Sequence, residues 1–345
     1  MKSGLLERFA TWESFLLALT IAALTYAASS VPNFGTSFNL SQAIAGASER
    51  ALIALPMTLL IIAREIDISV ASILALSSVV FGVAVREGAS TEIAIVFAIL
   101  TGAAAGAFNG ILVTWLGLPS LVVTLGALAM FRGIGYIILG SGSVNQFPDA
   151  FTDFGINTIG QTPVPWTFVP FLLLAPVFVV VLQRTSLGRR IYAIGGNPEA
   201  ARYAGVKVDK IRFGLFVVSG LVCAVAGVVF TARLANARAD NAVGLELDVI
   251  TIALLGGVSV FGGRGKLTGV FLALILIASL RNVLGLSQIG GDVQKTVIGM
   301  LLIVSLLVGA TAERVHGALQ SMLALRKNGG PSQGGPPKSV PTLLD

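Results

Sequence analysis

Histidine and cysteine are almost missing from this chain of 345 residues, which has one of each, His316 and Cys223. A single cysteine excludes an intrachain disulfide, and one inside an apolar segment reads as a small packing residue rather than a reactive thiol. A single histidine, past the last apolar segment, excludes a His-based metal or acid–base cluster. Charge is scarce as well. Asp, Glu, Lys and Arg make up 12% of the chain, about half the share usual in a soluble domain. There is no HExxH, no paired-cysteine zinc spacing and no Ser/His/Asp set, so the expectation is a non-enzymatic chain with no catalytic and no metal residues. Gly265-Lys266 resembles the end of a phosphate-binding loop, but Val260 and Leu267 stand where that motif needs Gly and Ser or Thr. Any ATP that drives the protein is expected to be hydrolysed, with Mg, by another chain. No proton or sodium relay stands out among the apolar segments.

What the chain has is oil. Hydrophobic residues are 55% of the sequence and mean hydropathy is +0.88. Ser14 to Ser48, Ile93 to Phe131 and Phe154 to Gln183 contain no charged residue, and each exceeds the roughly 20 residues a helix needs to cross a bilayer. The expected fold class is an all-α polytopic membrane protein. The alternating short segments of a transmembrane barrel are absent, and 40 glycines suit close helix approach in lipid. Phe15 to Ala28 with Ala27-Ala28-Ser29 has the look of a signal peptide. The many later segments, and Lys2 and Arg8 ahead of it, favour an uncleaved first helix with an inside N-terminus. The net charge of +6 is no nucleic-acid footprint, because the cations gather in one loop and near the ends.

That loop, Gln183 to Phe213, holds seven basic residues (Arg184, Arg189, Arg190, Arg202, Lys207, Lys210 and Arg212) against Glu199 and Asp209. It lies between two membrane-length segments and reads as cytoplasmic. Within it Gly195-Gly196 breaks the chain. Asn197 is an N-cap, Pro198 fits the first helical position, Glu199 complements the helix dipole and Gly205 stops the helix. A helix of about two turns is predicted. Two readings stand for it: a knob that docks another protein, and a solvated connector.

In order, the expected crossings are Trp12–Ser30, Ala51–Ala63, Ile68–Val85, Ile93–Trp115, Leu121–Leu139, Trp166–Leu182, Phe213–Ala232, a broken pair around Val249–Leu255 and Leu267–Leu280, and Thr296–Val308. That is about ten, with both termini cytoplasmic. Val31 to Ser48 reads as an outside loop with a short surface helix. Residues 1–310 are expected to form one transmembrane domain with a cytoplasmic loop at 184–212. Residues 311–345 are a cytoplasmic tail, disordered from about 328. Two interruptions fall in matching places of two halves: the charged bend Arg64-Glu65-Ile66-Asp67, and the glycine-rich Gly256 to Lys266. Interrupted apolar segments in corresponding positions point to a substrate path. Candidate path or gating residues are therefore Asp67, Ser69, Asn109, Thr124, Gly256, Gly257, Ser259, Gly262 and Gly263, with Asn282 as a further polar group. For Asn109, Thr124 and Asn282 a helix–helix hydrogen bond is the alternative. For the bend it is a structural tie in which Arg64, Glu65 and Asp67 pair with one another. Arg132 reads either as a polar contact within the bundle or as a snorkelling surface residue.

Three ordered motifs carry a family resemblance: Ile66-Asp67-Ile68-Ser69-Val70-Ala71-Ser72, GRRIYAIGGNPEAARYAG from Gly188 to Gly205, and Glu246-Leu247-Asp248 followed by GGVSVFGGRGKLTG up to Gly269. Asn109-Gly110 and Pro119 to Gly126 also match. Over about Ser41 to Val308 the chain resembles permease subunits of ribose-type ABC importers for sugars. The resemblance implies a multi-pass bacterial inner-membrane protein that translocates a monosaccharide. Its partners would be an ABC ATPase subunit, a second permease copy (identical or a close paralogue), a periplasmic sugar-binding protein and the lipid bilayer. The coupling residues would be Gly188, Gly196, Asn197, Glu199, Ala200, Ala201 and Gly205. Arg64-Glu65 replaces the family's Gly-Gly, and Ala71 replaces a Gly. These departures suggest a branch handling a deoxysugar such as rhamnose, or autoinducer-2. The alternative from another class is a secondary transporter driven by an ion gradient.

Overall fold

The computed structural model describes residues 12–301, 303, 304 and 307. All but the last of these belong to one compact unit, Met1–Ser305. The expected cytoplasmic ends and the 311–345 tail lie outside the described residues.

Every expected apolar segment is helical over its described residues. The helices are α1 (Trp12–Ser30), α2 (Ser37–Ile62), α3 (Val70–Arg86), α4 (Thr91–Thr114), α5 (Ser120–Leu139), α6 (Asp149–Ile156), α7 (Val169–Arg184), α8 (Ser186–Gly196), α9 (Pro198–Tyr203), α10 (Val208–Leu234), α11 (Leu245–Leu255) and α12 (Leu267–Leu286). A further helix, α13, begins at residue 291. Among the described residues seven helices are long and apolar enough to cross a membrane. Of the other expected crossings, α3 has 17 residues and α11, the first half of the broken pair, has 11, about 26 Å and 17 Å at 1.5 Å per residue.

One correction is large. Much of Val31 to Ser48, expected as an outside loop with a surface helix, belongs to α2, which runs unbroken for 26 residues. Polar residues make its first half look like a loop. Their partners lie on other helices: Asn39 on Asn282, Glu49 on Arg233 and Arg50 on Asp248. These long-range bonds allow a helix with charged residues to sit inside the bundle.

The centre of the molecule is α2 and α10. Of the most apolar window in α2, 83% is buried, and 61% in α10, against 17% in α1 and 28% in α5. α10 packs along α2, α3 and α4, while α12 packs on α1 and α2. Large apolar side chains point outward on the peripheral helices, among them Phe15, Phe97, Leu125 and Leu173, as lipid-facing surfaces require. The α4–α10 crossing has no room for side chains. A Cβ on Gly220 would lie 2.1 Å from the Gly102 carbonyl oxygen, and one on Gly106 would lie 2.3 Å from that of Phe216. Small residues let the backbones touch, which replaces the missing hydrophobic drive between helices in lipid.

Gly220→Leu should therefore force α4 from α10 and destabilise the fold by about 1–3 kcal/mol, as overpacking does. The check is the thermal midpoint of purified protein in detergent. Gly214→Ala, on the same helix with open space around it, should leave the midpoint unchanged.

Candidate functional site

The basic loop folds as two helices, one more than the sequence suggested. In α8 the Thr185 hydroxyl accepts from the Gly188 amide (3.3 Å). Gly195 and Gly196 do not break the chain as expected. They complete the last turn of α8, and the break comes at Asn197 (φ −155°). Asn197 then caps α9 as its sequence required, with Oδ1 accepting from the amides of Glu199 and Ala200, both at 3.0 Å. Gly205 ends the element at φ +82°. Ala201 faces inward, while Tyr203 stands 94% exposed. The result is a short capped helix with one bare side.

Two of the glycines in this loop approach backbone. A Cβ on Gly188 would lie 2.0 Å from the Leu182 carbonyl oxygen. A Cβ on Gly195 would lie 1.8 Å from the carbonyl oxygen of Ile62 and 2.3 Å from the amide of Gly263. Gly196, the predicted coupling glycine, has open space around its Cβ position. Of the pair it is Gly195 that makes the close approach, and the motif gave no means to separate the two.

Gly195 touches both interrupted segments because those segments touch each other. At the end of α2 the chain turns at Arg64 (φ +66°). The Gly263 amide donates to the Ile62 carbonyl at 2.8 Å. The Arg64 guanidinium spans the junction: Nε donates to the Phe261 carbonyl (2.6 Å) and Nη2 to that of Gly196 (3.1 Å). Within the second break, Gly257, Gly262 and Gly263 all have positive φ, the Ser259 amide donates to the Arg264 carbonyl, and the Gly262 amide donates to that of Ser259. Gly256 closes α11 with its backbone against Val270. Tyr192 on α8 donates its hydroxyl to the Gly265 carbonyl at 2.6 Å. Burial raises its phenol above the ordinary value, so it remains a donor. On the far side, Trp12 Nε1 donates to the Leu255 carbonyl (2.9 Å) and Lys266 pairs with Glu13 (2.7 Å).

The expected mutual pairing of Arg64, Glu65 and Asp67 is not what the bend does. Each finds a partner elsewhere because the turn points them apart. Glu65 forms an ion pair with Arg212 at the foot of α10 (2.9 Å). Asp67, fully buried, accepts from the Ser69 amide (3.0 Å) and hydroxyl (2.6 Å) and from the Ser219 hydroxyl (3.2 Å). Asn109 Nδ2 donates to the Ser69 hydroxyl at 2.8 Å. The Thr124 hydroxyl bridges the Ile66 carbonyl and the Ile68 amide, each at 3.2 Å. Asp67, Ser69 and Asn109 thus share one buried network that ties the start of α3 to α4 and α10, and Thr124 on α5 holds the backbone of the same bend. Their backbone-directed bonds satisfy the ends that the bend leaves open. Asn282 and Asn39 exchange amide bonds at 2.9 Å in both directions. Arg132 donates to the carbonyls of Ala239 (2.7 Å) and Asn241 (2.9 Å), which makes it a contact within the protein rather than a snorkelling residue.

A bundle of apolar helices with two meeting breaks and a capped loop helix behind them has the make-up of a membrane permease. The chain belongs to the family described as branched-chain amino acid transport system / permease component, whose profile matches residues 39–306. It is 36% identical over 290 residues to the D-allose transport system permease protein AlsC of Escherichia coli, covering 84% of this chain and 88% of that one. It is 33% identical over 302 residues to the autoinducer 2 import system permease protein LsrD of Klebsiella pneumoniae, covering 85% and 90%. A solved structure titled an inward-facing conformation of a putative metal-chelate type ABC transporter aligns with a TM-score of 0.42 and 15% identity, over 88% of this chain and 96% of that one. The resemblance drawn from the three motifs is met: this is a multi-pass inner-membrane permease subunit of the ABC importer class.

Gly195→Val should push α8 off the Ile62 and Gly263 backbones and lower uptake about tenfold or more, equivalent to roughly 1.4 kcal/mol on the coupled step. Gly196→Ala, with open space, should retain uptake. Transport in membrane vesicles at matched membrane levels of permease makes the comparison.

Proposed function

We propose that this chain is the translocating subunit of an ATP-driven importer for a small polyhydroxylated solute, a sugar or a sugar-like signal, with ATP and Mg used by a separate ATPase subunit. The observation that carries the proposal is the path of contact from the exposed helix α9 to both interrupted segments. The Asn197 amide donates to the Ala193 carbonyl of α8 (3.1 Å) while its Oδ1 caps α9, and α8 rests on Ile62 and Gly263 through Gly195. A push on α9 from the cytoplasm thus reaches backbone at the end of α2 and in the glycine-rich segment between α11 and α12 without passing through flexible side chains. Such a rigid link is what an externally powered pump needs, since a shift at one site must bias a two-state element at another.

On this reading Glu199, Ala200 and Tyr203 meet the ATPase. Gly188 and Gly195 hold the platform on the bundle, and Gly205 frees the chain to leave it. Ser259 and its neighbouring glycines, with the bend at Arg64–Asp67, form the moving part on the cytoplasmic side. The chain contributes no catalytic group and holds no cofactor. Its remaining partners are a second permease copy beside it and an exported binding protein on the outer face. The sugar class is supported by relatives whose names specify D-allose and autoinducer 2.

The test is co-purification with the candidate ATPase. Wild type should co-elute, and a variant with residues 197–205 replaced by a Gly/Ser linker should not. Glu199→Arg should keep the protein in the membrane and lower ATP-dependent sugar uptake about tenfold. A chain that never binds the ATPase yet moves solute down an ion gradient would sink the proposal in favour of a secondary transporter.

A further inference from the structure

At the other end of α2 from the breaks lies a cavity of about 440 Å³. From Arg64 to Arg50 is 14 residues, roughly 20 Å of helix, so the two features sit near opposite ends of one rod. Three arginines line the cavity, Arg50 from α2, Arg233 from α10 and Arg281 from α12, together with the carboxamides of Asn39, Gln42 and Asn282. Its floor is apolar, with Ile252, Leu274 and Ile277.

The arginines are held from behind. Asp248 receives Arg50 Nε at 2.8 Å, and both its oxygens receive Arg281 Nη2 at 2.6 and 2.7 Å. Glu49 receives Arg233 Nε at 2.8 Å. Neither acid lines the cavity. Two carboxylates therefore fix three guanidinium groups and leave an excess of one positive charge. The donors on three guanidinium groups outnumber what two carboxylates accept. The Nε of Arg281, a residue of the cavity lining, is buried without a hydrogen-bond partner. Unmet polar atoms at this depth are costly and mark either a ligand site or bound water. Gln42 is exposed and brings one donor and one acceptor face.

We propose that this cavity is where the permease itself holds its solute, as a site for a neutral polyhydroxylated molecule of monosaccharide size. The volume falls within the usual range for small-molecule sites, about 300–1,000 Å³. Fixed guanidinium donors and mixed carboxamides suit hydroxyl groups, each of which both donates and accepts. An apolar floor suits the C–H face of a sugar ring. The one unmatched positive charge does not by itself select a neutral sugar over its acid. The volume, the carboxamides and the apolar lining carry the neutral assignment, and the sugar acid is its control. The site rests on the importer reading above and adds to it a selecting role for Arg281 and Gln42 in the permease.

The experiment uses the assembled transporter, permease with ATPase and binding protein, in proteoliposomes. Gln42→Cys is labelled with a maleimide. The natural Cys223 is fully buried, so background is low. The sugar that wild type transports best, chosen from a panel of radiolabelled aldoses, should slow labelling about tenfold at ten times its Kd. The matching sugar acid should not, and Gly290→Cys, outside the cavity lining, should label at one rate throughout. Arg281→Lys and Gln42→Ala should change the order of preference among the aldoses. If wild type moves sugar but Gln42→Cys is unprotected and both variants keep the wild-type order, this site is wrong and the importer reading stands. Protection by the acid alone would overturn the neutral-ligand assignment. If wild type moves no sugar, both fall together.

Discussion

The carbonyl of Ile62 is the group on which the rest of this structure depends. A helix that ends inside a membrane protein leaves open carbonyls with no water to take them. The Gly263 amide takes that of Ile62, and Gly195 comes within contact because it has no side chain. The second break and the loop platform of α8 are thus both built around one chain end. Arg64 closes the same junction with two more donors to backbone. Three segments far apart in sequence are joined by main chain rather than by exchangeable side-chain packing. That joint explains why the loop helix can be short and still be mechanically connected to the bundle.

Much of this was legible in the sequence, for reasons that can be named. The α9 helix follows from Asn197, Pro198 and Gly205, because capping and helix termination are local chemistry. The membrane class follows from uncharged runs, since hydropathy is a sum over neighbours along the chain. The two interruptions follow from a charged bend and a glycine cluster. Their meeting does not, because a contact over nearly 200 residues leaves no local mark.

The misreadings share one cause. Val31 to Ser48 reads as a loop because Pro32, Asn33, Gly35, Asn39 and Gln42 interrupt the apolar run. The partners of Asn39 and of the two charges that follow, Glu49 and Arg50, are Asn282, Arg233 and Asp248, 184 to 243 residues away. The charges of the bend look mutually paired for the same reason, and Glu65 instead reaches Arg212. Gly195 and Gly196 are alike in sequence and differ only in what stands opposite. Polarity is read correctly from sequence as a cost, but its compensation is a property of the fold.

Pro56 lies between the two ends of α2. Its ring nitrogen cannot donate to the Leu52 carbonyl, so the rod is weakest there. The cavity residues lie before it and the Ile62 junction after it, so the missing bond divides α2 as a hinge does. A hinge lets each half of the helix settle against its own neighbours, so a change at one end need not disturb the other.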